Sequence, residues 1–373
     1  MRVALVHDYI KEYGGAERVL EALHEAFPEA DVFTTVYLPS FLGPHKERFK
    51  DWKIHTSFLN LIPGRAKLIS PLRLLSPLAF KSFDFSKYDV IITSSTGAYF
   101  PNSLKKGKAK LFCYCHTPPR YLYGYATARE WKNNLVLRIL GETINHFLRI
   151  VDYNASKNVD QFIANSEEVK ARIQKFYRRD AVVVYPPVDL ARRQALSAKR
   201  ERTFFLTGGR LARAKHVDLI VKACTELKLP LKVFGKAFAG YGEELRALAM
   251  RNAPSAKRSV EFMGEVSDEE KLELMAGAKA FLFASEDEDF GITPVEAMGQ
   301  GTPVIAFRSG GVKETVVENK TGLFFDQLTE DSLIGQLKTF DKKRFKEEDC
   351  VKRAEKFSKK NFLKEITSVV TSK

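Results

Sequence analysis

Short apolar, β-branched runs alternate along the first half of the chain with longer stretches in which apolar residues recur every three or four positions. The helical stretches include AERVLEALHEAF and EWKNNLVLRILGETINHFLRIVDYNASKN. The apolar runs are RVALVHDY, DVFTTVY, YDVIITSS, KLFCYCHT, QFIANS and VVVYPPV. This alternation is typical of βαβ units, so it predicts a doubly wound sheet of parallel strands.

The same rhythm starts again near residue 202. Its apolar runs are TFFLTGG, LKVFGK, VEFMGE, AFLFAS, PVIAF and GLFF. The polar stretch LARRQALSAKRER before them is typical of a linker. We therefore predict an α/β protein with two Rossmann-like domains at 1–190 and 200–345, facing each other across a cleft. A charged C-terminal helix at 346–373 can return to the first domain.

Composition fits a soluble globular protein, with 45% hydrophobic and 28% charged residues among 373. No apolar run reaches the roughly 18 residues that span a bilayer. The N-terminal MRVALVHDYIKEYGG is typical of a buried strand, because its apolar core is too short for a signal peptide. The four cysteines show neither metal-ligand spacing nor a disulfide pattern, which indicates a reducing compartment.

The net charge of +14 is concentrated in the first half, where residues 46–110 carry 13 basic and 4 acidic side chains. Within this stretch, residues 56–83 mix Leu, Ile and Phe with four cations and no acid: Arg65, Lys67, Arg73 and Lys81. This composition indicates either an interfacial helix on anionic lipid or a packed helix with a basic outer face. Nucleic-acid binding is not expected, because the stretch lacks stacking aromatics and no nucleic-acid-binding motif is present.

Two glycine pairs follow predicted strands and precede predicted helices. Gly14 and Gly15 in HDYIKEYGGAERVL, with the helix beginning at Ala16, would let a ligand approach the backbone, although a structural turn explains them equally well. In FFLTGGRLARAKHVDLIVKA, Gly209 is followed by Arg210 and by Lys215, about where the helix begins. A helix N-terminus disfavours cations, so their presence there favours a diphosphate ligand.

The segment 285–303 reads SEDEDFGITPVEAMGQGTP and places acidic residues before a helix. TPVE predicts a capping box, with Thr293 as N-cap and Glu296 at the third helical position. The amides around Gly291 to Thr293 would then be available to an anion. Glu288 lies on a loop at the carboxyl end of a strand, where open α/β sheets bind ligands.

These features predict a site with two halves. Backbone amides, Arg210 and Lys215 would hold a diphosphate, while Glu288 and Glu296 would accept hydrogen bonds from sugar and ribose hydroxyls. The other acidic residues of the segment are solvated neighbours in this interpretation: Glu286, Asp287 and Asp289.

The spacing Glu288-x7-Glu296 within EDFGITPVEAMGQGTPVIAFRSGGVKETV resembles that of the retaining family 4 glycosyltransferases, which have the GT-B fold. GGRLARAKHVDLIVKA is similar to the donor-phosphate element of that family, and GGAERVL to its first glycine loop. YCHTPPRYLYG and SPLAFKSFDFSKYDVIITSS look most like the WbaZ-type bacterial branch, which includes many mannosyltransferases. The chain departs from the family at His216, where a glycine is usual.

The resemblance implies a retaining hexosyltransferase that moves mannose from GDP-mannose to a glycan or lipid-linked glycan in cell-surface polysaccharide synthesis. It implies catalytic roles for His116, Arg210, Lys215 and Glu288, although His116 alone is also typical of a structural strand end. Acceptor contacts are expected from Arg120 and Tyr121. The implied donor-binding residues are Gly14, Gly15, Gly209, Arg210, Lys215, Glu288, Phe290, Gly291, Ile292, Thr293 and Glu296.

No DxD-type metal motif lies in a plausible donor loop, so we expect neither a metal nor a bound cofactor, with Arg210 and Lys215 stabilising the leaving diphosphate. Another GT-B enzyme, a phosphorylase or a nucleotide-sugar epimerase, is the alternative. Lipid-linked acceptors are common in the resembling branch. They favour an anionic membrane surface as a partner of residues 56–83, and hence a cytoplasmic protein on the inner face of the cytoplasmic membrane.

Overall fold

The chain forms two compact units in the computed structural model, which describes residues 1–125, 135–190, 202–252 and 259–372. The first unit contains the described residues up to Pro187 together with the C-terminal stretch from Lys359. The second unit contains the described residues of Val188–Ser358, so it continues beyond the predicted boundary at 345. Most of the predicted linker lies outside the described residues.

The first unit is built on a seven-stranded parallel sheet with the order β3-β2-β1-β4-β5-β6-β7. Its strands are β1 Val3–His7, β2 Asp31–Thr34, β3 Ile54–Thr56, β4 Val90–Ser95, β5 Lys110–Cys115, β6 Gln161–Ala164 and β7 Ala181–Val183. Its α-helices are α1 Gly15–Ala26, α2 Arg65–Leu72, α3 Ser76–Lys81, α4 Arg120–Tyr123, α5 Leu135–Ser156, α6 Glu167–Tyr177 and, numbered last in chain order, α14 Lys359–Thr371. Short 3₁₀ turns lie at Pro39–Phe41, Gly43–Phe49, Phe58–Leu61 and Pro101–Ser103.

The second unit is built on a six-stranded parallel sheet with the order β10-β9-β8-β11-β12-β13. Its strands are β8 Phe204–Gly208, β9 Leu231–Phe234, β10 Val260–Gly264, β11 Ala278–Phe283, β12 Val304–Phe307 and β13 Gly322–Phe325. After the 3₁₀ turn Arg213–Lys215, its α-helices are α7 Val217–Glu226, α8 Tyr241–Asn252, α9 Asp268–Gly277, α10 Ile292–Gly299, α11 Val312–Thr315, α12 Glu330–Phe340 and α13 Glu347–Glu355.

Both sheets are covered by helices on their two faces, which explains the continuous apolar character of their strands. In β4 every residue from Val90 to Ser95 is buried. On one face of the first sheet, α14 buries Phe362, Ile366 and Val370 in a core that also contains side chains of α1. Each such side chain contributes about 1.5–3 kcal/mol when it is fully buried.

The predicted fold class is confirmed, and every predicted run contains an observed strand. The strand β3 was not predicted, because it has only three residues and its side chains are at most partly buried at the sheet edge. Among the described residues, no helix is long and apolar enough to cross a membrane.

Candidate active site

A glycine turn at the carboxyl end of β8 lies beside the start of α10. Gly209 has a φ of +118°, and a Cβ there would lie 3.7 Å from the Thr293 hydroxyl. Gly235 follows β9 with a φ of +117°, and a Cβ at this position would lie 1.8 Å from the carbonyl oxygen of Gly209. The turn after β8 therefore requires glycine on both sides, and the exposed side chain of Arg210 follows it directly.

Lys215 and Glu288 form the central ion pair of this region. The Lys215 ammonium donates to Glu288 and lies 3.2 Å from Ser285 Oγ, while the Ser285 hydroxyl donates to Glu288 Oε2 at 2.6 Å. The side chains of Lys215 and Glu288 are 31% and 17% exposed. A predicted phosphate-binding cation and a predicted sugar-binding carboxylate are thus held together, with enough exposure to meet a ligand.

The helix after Lys215 begins later than predicted. Lys215 ends a 3₁₀ turn, His216 adopts the left-handed conformation with a φ of +46°, and α7 begins at Val217. Glycine favours this conformation, which explains why the resembling family usually has glycine where this chain has His216. The His216 ring lies 3.5 Å from Glu286, which places part of the acidic segment beside this turn.

The loop that carries Glu288 is fixed by a second glycine pair. The N–H of Asp287 donates to Ser309 Oγ at 3.1 Å, and the N–H of Gly311 donates to the Glu288 carbonyl at 2.8 Å. A Cβ at Gly310 would lie 2.1 Å from the same carbonyl. No role was predicted for Ser309–Gly311, although the SGG sequence directly after a predicted strand is a signal for such a turn.

The predicted capping box at the start of α10 is wrong. The helix begins at Ile292, and its N-cap is Gly291, with a φ of +89° and no side-chain cap. Thr293 therefore lies in the first turn. The first backbone N–H groups of a helix have no intrahelical acceptor, so the start of α10 still presents a partial positive charge.

Glu296 is bound to a cation from another helix. Its side chain is 5% exposed and lies 2.9 Å from Lys271 Nζ, which also lies 3.2 Å from Asp268. Lys271 comes from α9 and was missed by the sequence analysis. Phe290 is buried and lies edge-on to Phe357 at 5.3 Å, so only its backbone can face a ligand.

In the first unit, His116 extends from β5 toward its neighbouring strands. His7 and Ser94 are register partners on β1 and β4, and His7 Nδ1 lies 3.1 Å from Ser94 Oγ. Ser94 Oγ lies 2.9 Å from His116 Nε2. Burial lowers the pKa of His116 to about 3, with a further contribution from His7, so the His116 imidazole is neutral near pH 7.

Asp8 follows β1 and holds the loop after β4. Its Oδ2 accepts hydrogen bonds from the Thr96 hydroxyl at 2.5 Å and from the N–H groups of Ala98 and Tyr99 at 3.2 and 3.1 Å. Burial raises the pKa of Asp8, although His7 and these hydrogen bonds oppose the shift. The loop between β4 and β5 is therefore anchored directly beside the two histidines.

The first glycine loop also lies at this edge of the sheet. Gly14 is the N-cap of α1, which begins at Gly15 rather than at the predicted Ala16. The Gly14 N–H donates to Glu17 Oε2 at 2.9 Å, and Glu17 Oε1 lies 3.7 Å from His7 Nε2. The loop and His116 are thus connected through buried polar side chains.

Arg120 and Tyr121 occupy the short helix α4. The Arg73 guanidinium lies over the Tyr121 ring at 4.3 Å, and Asn145 Nδ2 donates to the Tyr121 carbonyl at 3.4 Å. The basic segment 56–83 therefore contacts one of the two predicted acceptor residues. This contact between the basic segment and Tyr121 was not predicted from the sequence.

The predicted site residues thus fall into two groups. In the second unit, the structure brings together Gly209, Lys215, Glu288 and the start of α10. In the first unit, it connects the glycine loop to His116.

Comparison with protein families identifies the class. The family model described as "Glycosyltransferase Family 4" matches residues 13–192, and the model described as "Glycosyl transferases group 1" matches residues 189–357. Together they cover 13–357, so the chain belongs to the family 4 glycosyltransferases.

Similar curated proteins include the alpha-1,3/1,6-mannosyltransferase ALG2 of Yarrowia lipolytica, 26% identical over 86% of this chain and 80% of that protein. The ALG2 of Mus musculus is 25% identical over 63% of this chain. The match spans 61% of the mouse protein's length.

Solved structures share the fold of the whole chain. HepE of Anabaena, in complex with UDP and glucose, superimposes with a TM-score of 0.74 at 18% identity and full coverage of both chains. Sucrose-phosphate synthase from Thermosynechococcus elongatus also gives 0.74 at 19% identity, covering 99% of this chain and 98% of that one. The predicted GT-B fold is confirmed.

Proposed function

We propose that this glycosyltransferase is a retaining enzyme that moves mannose from GDP-mannose to a glycan or lipid-linked glycan in cell-surface polysaccharide synthesis. The observation that carries the proposal is the Lys215–Glu288 pair, which Ser285 joins at the carboxyl end of the second sheet. A cation for phosphate and a carboxylate for sugar hydroxyls lie side by side there. Mannose is supported by the two curated relatives named mannosyltransferases.

The chemistry assigned to the second unit is electrostatic. Arg210, Lys215 and the positive end of α10 stabilise the charge that grows on the leaving diphosphate. These groups take the place of a divalent cation, so transfer proceeds without metal. Retention follows from a front-face path, implied by the family resemblance, in which the departing phosphate helps to remove the proton of the acceptor hydroxyl.

The nucleoside is assigned to a depression at the carboxyl ends of β9 and β10. Its lining includes the apolar side chains of Leu211 and Phe262 and the backbone of Gly235 and Gly264. The lining also contains the charged side chains of Lys236, Arg246 and Glu265, so apolar surface for a planar base lies beside groups that can bind its polar edge. UDP-hexose is the alternative donor, because HepE, which has the same fold, was crystallised with UDP and with UDP-glucose.

The acceptor is assigned to the first unit, and residues 56–83 are assigned to an anionic membrane surface. This segment forms a 3₁₀ turn, α2 and α3. It buries Leu59, Leu72 and Phe80 and exposes other large apolar side chains, such as Leu61 and Leu78. Exposed leucines beside exposed lysines are the combination that binds lipid headgroups and acyl chains together.

The long helix α5 supports the same assignment. Five of its apolar side chains are 45–63% exposed: Ile139, Leu140, Ile144, Phe147 and Ile150. Both α5 and α3 contact the 3₁₀ turn Pro101–Ser103, so their exposed residues belong to neighbouring parts of one unit. A polypeptide anchored through these residues would lie on the inner face of the cytoplasmic membrane.

Donor assignment is tested by thermal unfolding with GDP, UDP, ADP and their hexose conjugates, followed by transfer assays with EDTA. A ligand at about 100 times its dissociation constant stabilises the folded state by about 2.7 kcal/mol. We expect GDP and GDP-mannose to raise the melting temperature and EDTA to leave transfer intact. If only uridine ligands stabilise the protein, the donor is a UDP-hexose instead of GDP-mannose. A strict requirement for Mn²⁺ or Mg²⁺ would contradict the assigned roles of Arg210 and Lys215.

Membrane binding is tested by co-sedimentation with phosphatidylglycerol vesicles. Lys67 and Lys81 are exposed, and each lysine near an anionic surface contributes about 1 kcal/mol. We expect Lys67→Glu with Lys81→Glu to weaken binding on the order of a hundredfold, and high salt to release the wild type. The matched control reverses two exposed lysines of α14, Lys360 and Lys364. If both double variants lose vesicle binding equally, the effect comes from the net charge of the protein and not from residues 56–83.

A further inference from the structure

Four polar side chains of the first unit lie in a row from α1 to the end of β5. Glu17 Oε1 lies 3.7 Å from His7 Nε2, His7 Nδ1 lies 3.1 Å from Ser94 Oγ, and Ser94 Oγ lies 2.9 Å from His116 Nε2. Glu17, His7 and Ser94 are buried, whereas His116 is partly exposed. We call this line the Glu17–His116 chain.

The carboxylate at one end of the Glu17–His116 chain determines which group donates and which accepts in each of its hydrogen bonds. A buried carboxylate accepts hydrogen bonds and favours an N–H on the facing His7 Nε2, although 3.7 Å is longer than a hydrogen bond. With its proton on Nε2, His7 presents a lone pair at Nδ1, which accepts a hydrogen bond from the Ser94 hydroxyl. The Ser94 oxygen in turn accepts from Nε2–H of His116. The opposite direction would aim the lone pair of His7 Nε2 at the carboxylate, which is repulsive.

We propose that Glu17, His7 and Ser94 are positioning residues that hold His116 in the tautomer with an unprotonated Nδ1. That nitrogen can then accept a hydrogen bond from a sugar hydroxyl of the substrate. This inference rests on the proposed function, because it is the family resemblance behind that function that gives His116 a catalytic role in sugar transfer. It goes further by naming the three residues that decide whether the nitrogen accepts or donates.

Glu17 also contacts the glycine loop, so the tautomer of His116 depends on the position of that loop. Its other oxygen, Oε2, accepts from the Gly14 N–H at 2.9 Å. A ligand that moves Gly14 therefore moves the carboxylate that faces His7. The same carboxylate is part of the start of α1 and of the Glu17–His116 chain.

Glu17→Gln tests the direction of the chain. The glutamine oxygen can keep the Gly14 hydrogen bond, and its amide N–H then faces His7 Nε2. Every hydrogen bond of the chain should reverse, which leaves a proton on Nδ1 of His116. Nitrogen-15 NMR of histidine-labelled protein, with the signals of His116 assigned from a His116→Gln sample, reports which ring nitrogen carries the proton.

The expected result is an unprotonated Nδ1 in the wild type and a protonated Nδ1 in Glu17→Gln. Because a donor would replace an acceptor, transfer should fall by about ten- to a hundredfold. The inference is overturned if the wild type carries its proton on Nδ1, or if both proteins show the same tautomer. The tautomer is read without substrate, so failure to find any transferase activity would sink the proposed function separately.

Ser94→Ala interrupts the chain, and Ser95→Ala is its matched control. Ser95 is the next residue of β4, and no hydrogen bond of its side chain is seen in the described part of the chain. We expect Ser94→Ala to give a mixture of His116 tautomers and a lower kcat, with nucleotide affinity unchanged because the nucleotide is assigned to the second unit. Ser95→Ala should resemble the wild type. Identical spectra and rates for the two variants would overturn the inference, and circular dichroism checks that both are folded.

Discussion

Replacing Glu288 by glutamine should separate sugar recognition from phosphate recognition in the second unit. Glu288 accepts from Lys215 and, at 2.6 Å, from the Ser285 hydroxyl. Glutamine keeps the shape of the side chain and one acceptor oxygen but removes the charge. The ammonium of Lys215 then loses its anionic partner and remains close to the position assigned to the diphosphate.

The two effects have opposite signs. Hydrogen bonds to charged groups contribute about 1.5–3 kcal/mol. The Lys215 side chain is 31% exposed, so solvent screening reduces the pair to about 1 kcal/mol. Removing this competition should tighten nucleoside diphosphate binding by about fivefold. The sugar loses a charged acceptor in the transition state, so kcat/KM should fall by about ten- to 150-fold.

The assay combines calorimetric titration of the nucleoside diphosphate with initial rates of sugar transfer. Glu286→Gln is the matched control, because this substitution removes the same charge two residues away. Glu286 contacts His216 rather than Lys215. Weaker diphosphate binding in Glu288→Gln, in step with lost transfer, would refute the reasoning. Unchanged transfer would remove Glu288 from the sugar site.

Two further predictions concern stability, and one concerns nucleotide binding. Burial raises the pKa of Asp152 to about 7 from an ordinary 3.8, so the folded state binds this proton more tightly, and stability falls as the pH rises from 4 to 8. Asp152→Asn should remove that decrease, on the order of a few kcal/mol, in urea unfolding measured at each pH. Gly235→Ala should prevent the turn at Gly209 from forming, because its Cβ would lie 1.8 Å from a carbonyl oxygen, and nucleotide binding measured by calorimetry should be lost. Lys271→Met leaves the buried Glu296 without this cation and should cost about 3 kcal/mol in the same unfolding assay, part of which Glu296→Gln should restore.

The strands were predictable because both faces of each parallel sheet are buried, so that apolar runs coincide with strands. Thr293 shows the limit of local motifs. TPVE has the residue types of a capping box, but Gly291 can adopt a φ of +89°, and the helix begins after it instead. Glu296 is then left to pair with Lys271, 25 residues earlier in the chain, and no spacing in the sequence indicates that contact.

The contact between His7 and Ser94 was unpredictable for a different reason. The two residues are 87 positions apart and become neighbours only because β1 pairs with β4 in a particular register. A strand order must be known before such a pair can be found. By contrast, the cations and carboxylates of the second unit follow their strands directly, so the sequence indicated Lys215 and Glu288 as members of one site.

The position of α14 has a consequence for biosynthesis. This helix completes the core of the first unit, with Phe362, Ile366 and Val370 buried beside residues of α1, although the whole second unit separates it from that unit in the chain. During translation, all residues of the second unit are synthesised before α14, while an apolar groove of the first unit stays uncovered until residue 371 has been synthesised. We therefore expect the first unit of a nascent chain to expose apolar surface until α14 has been synthesised, even after the second unit has folded.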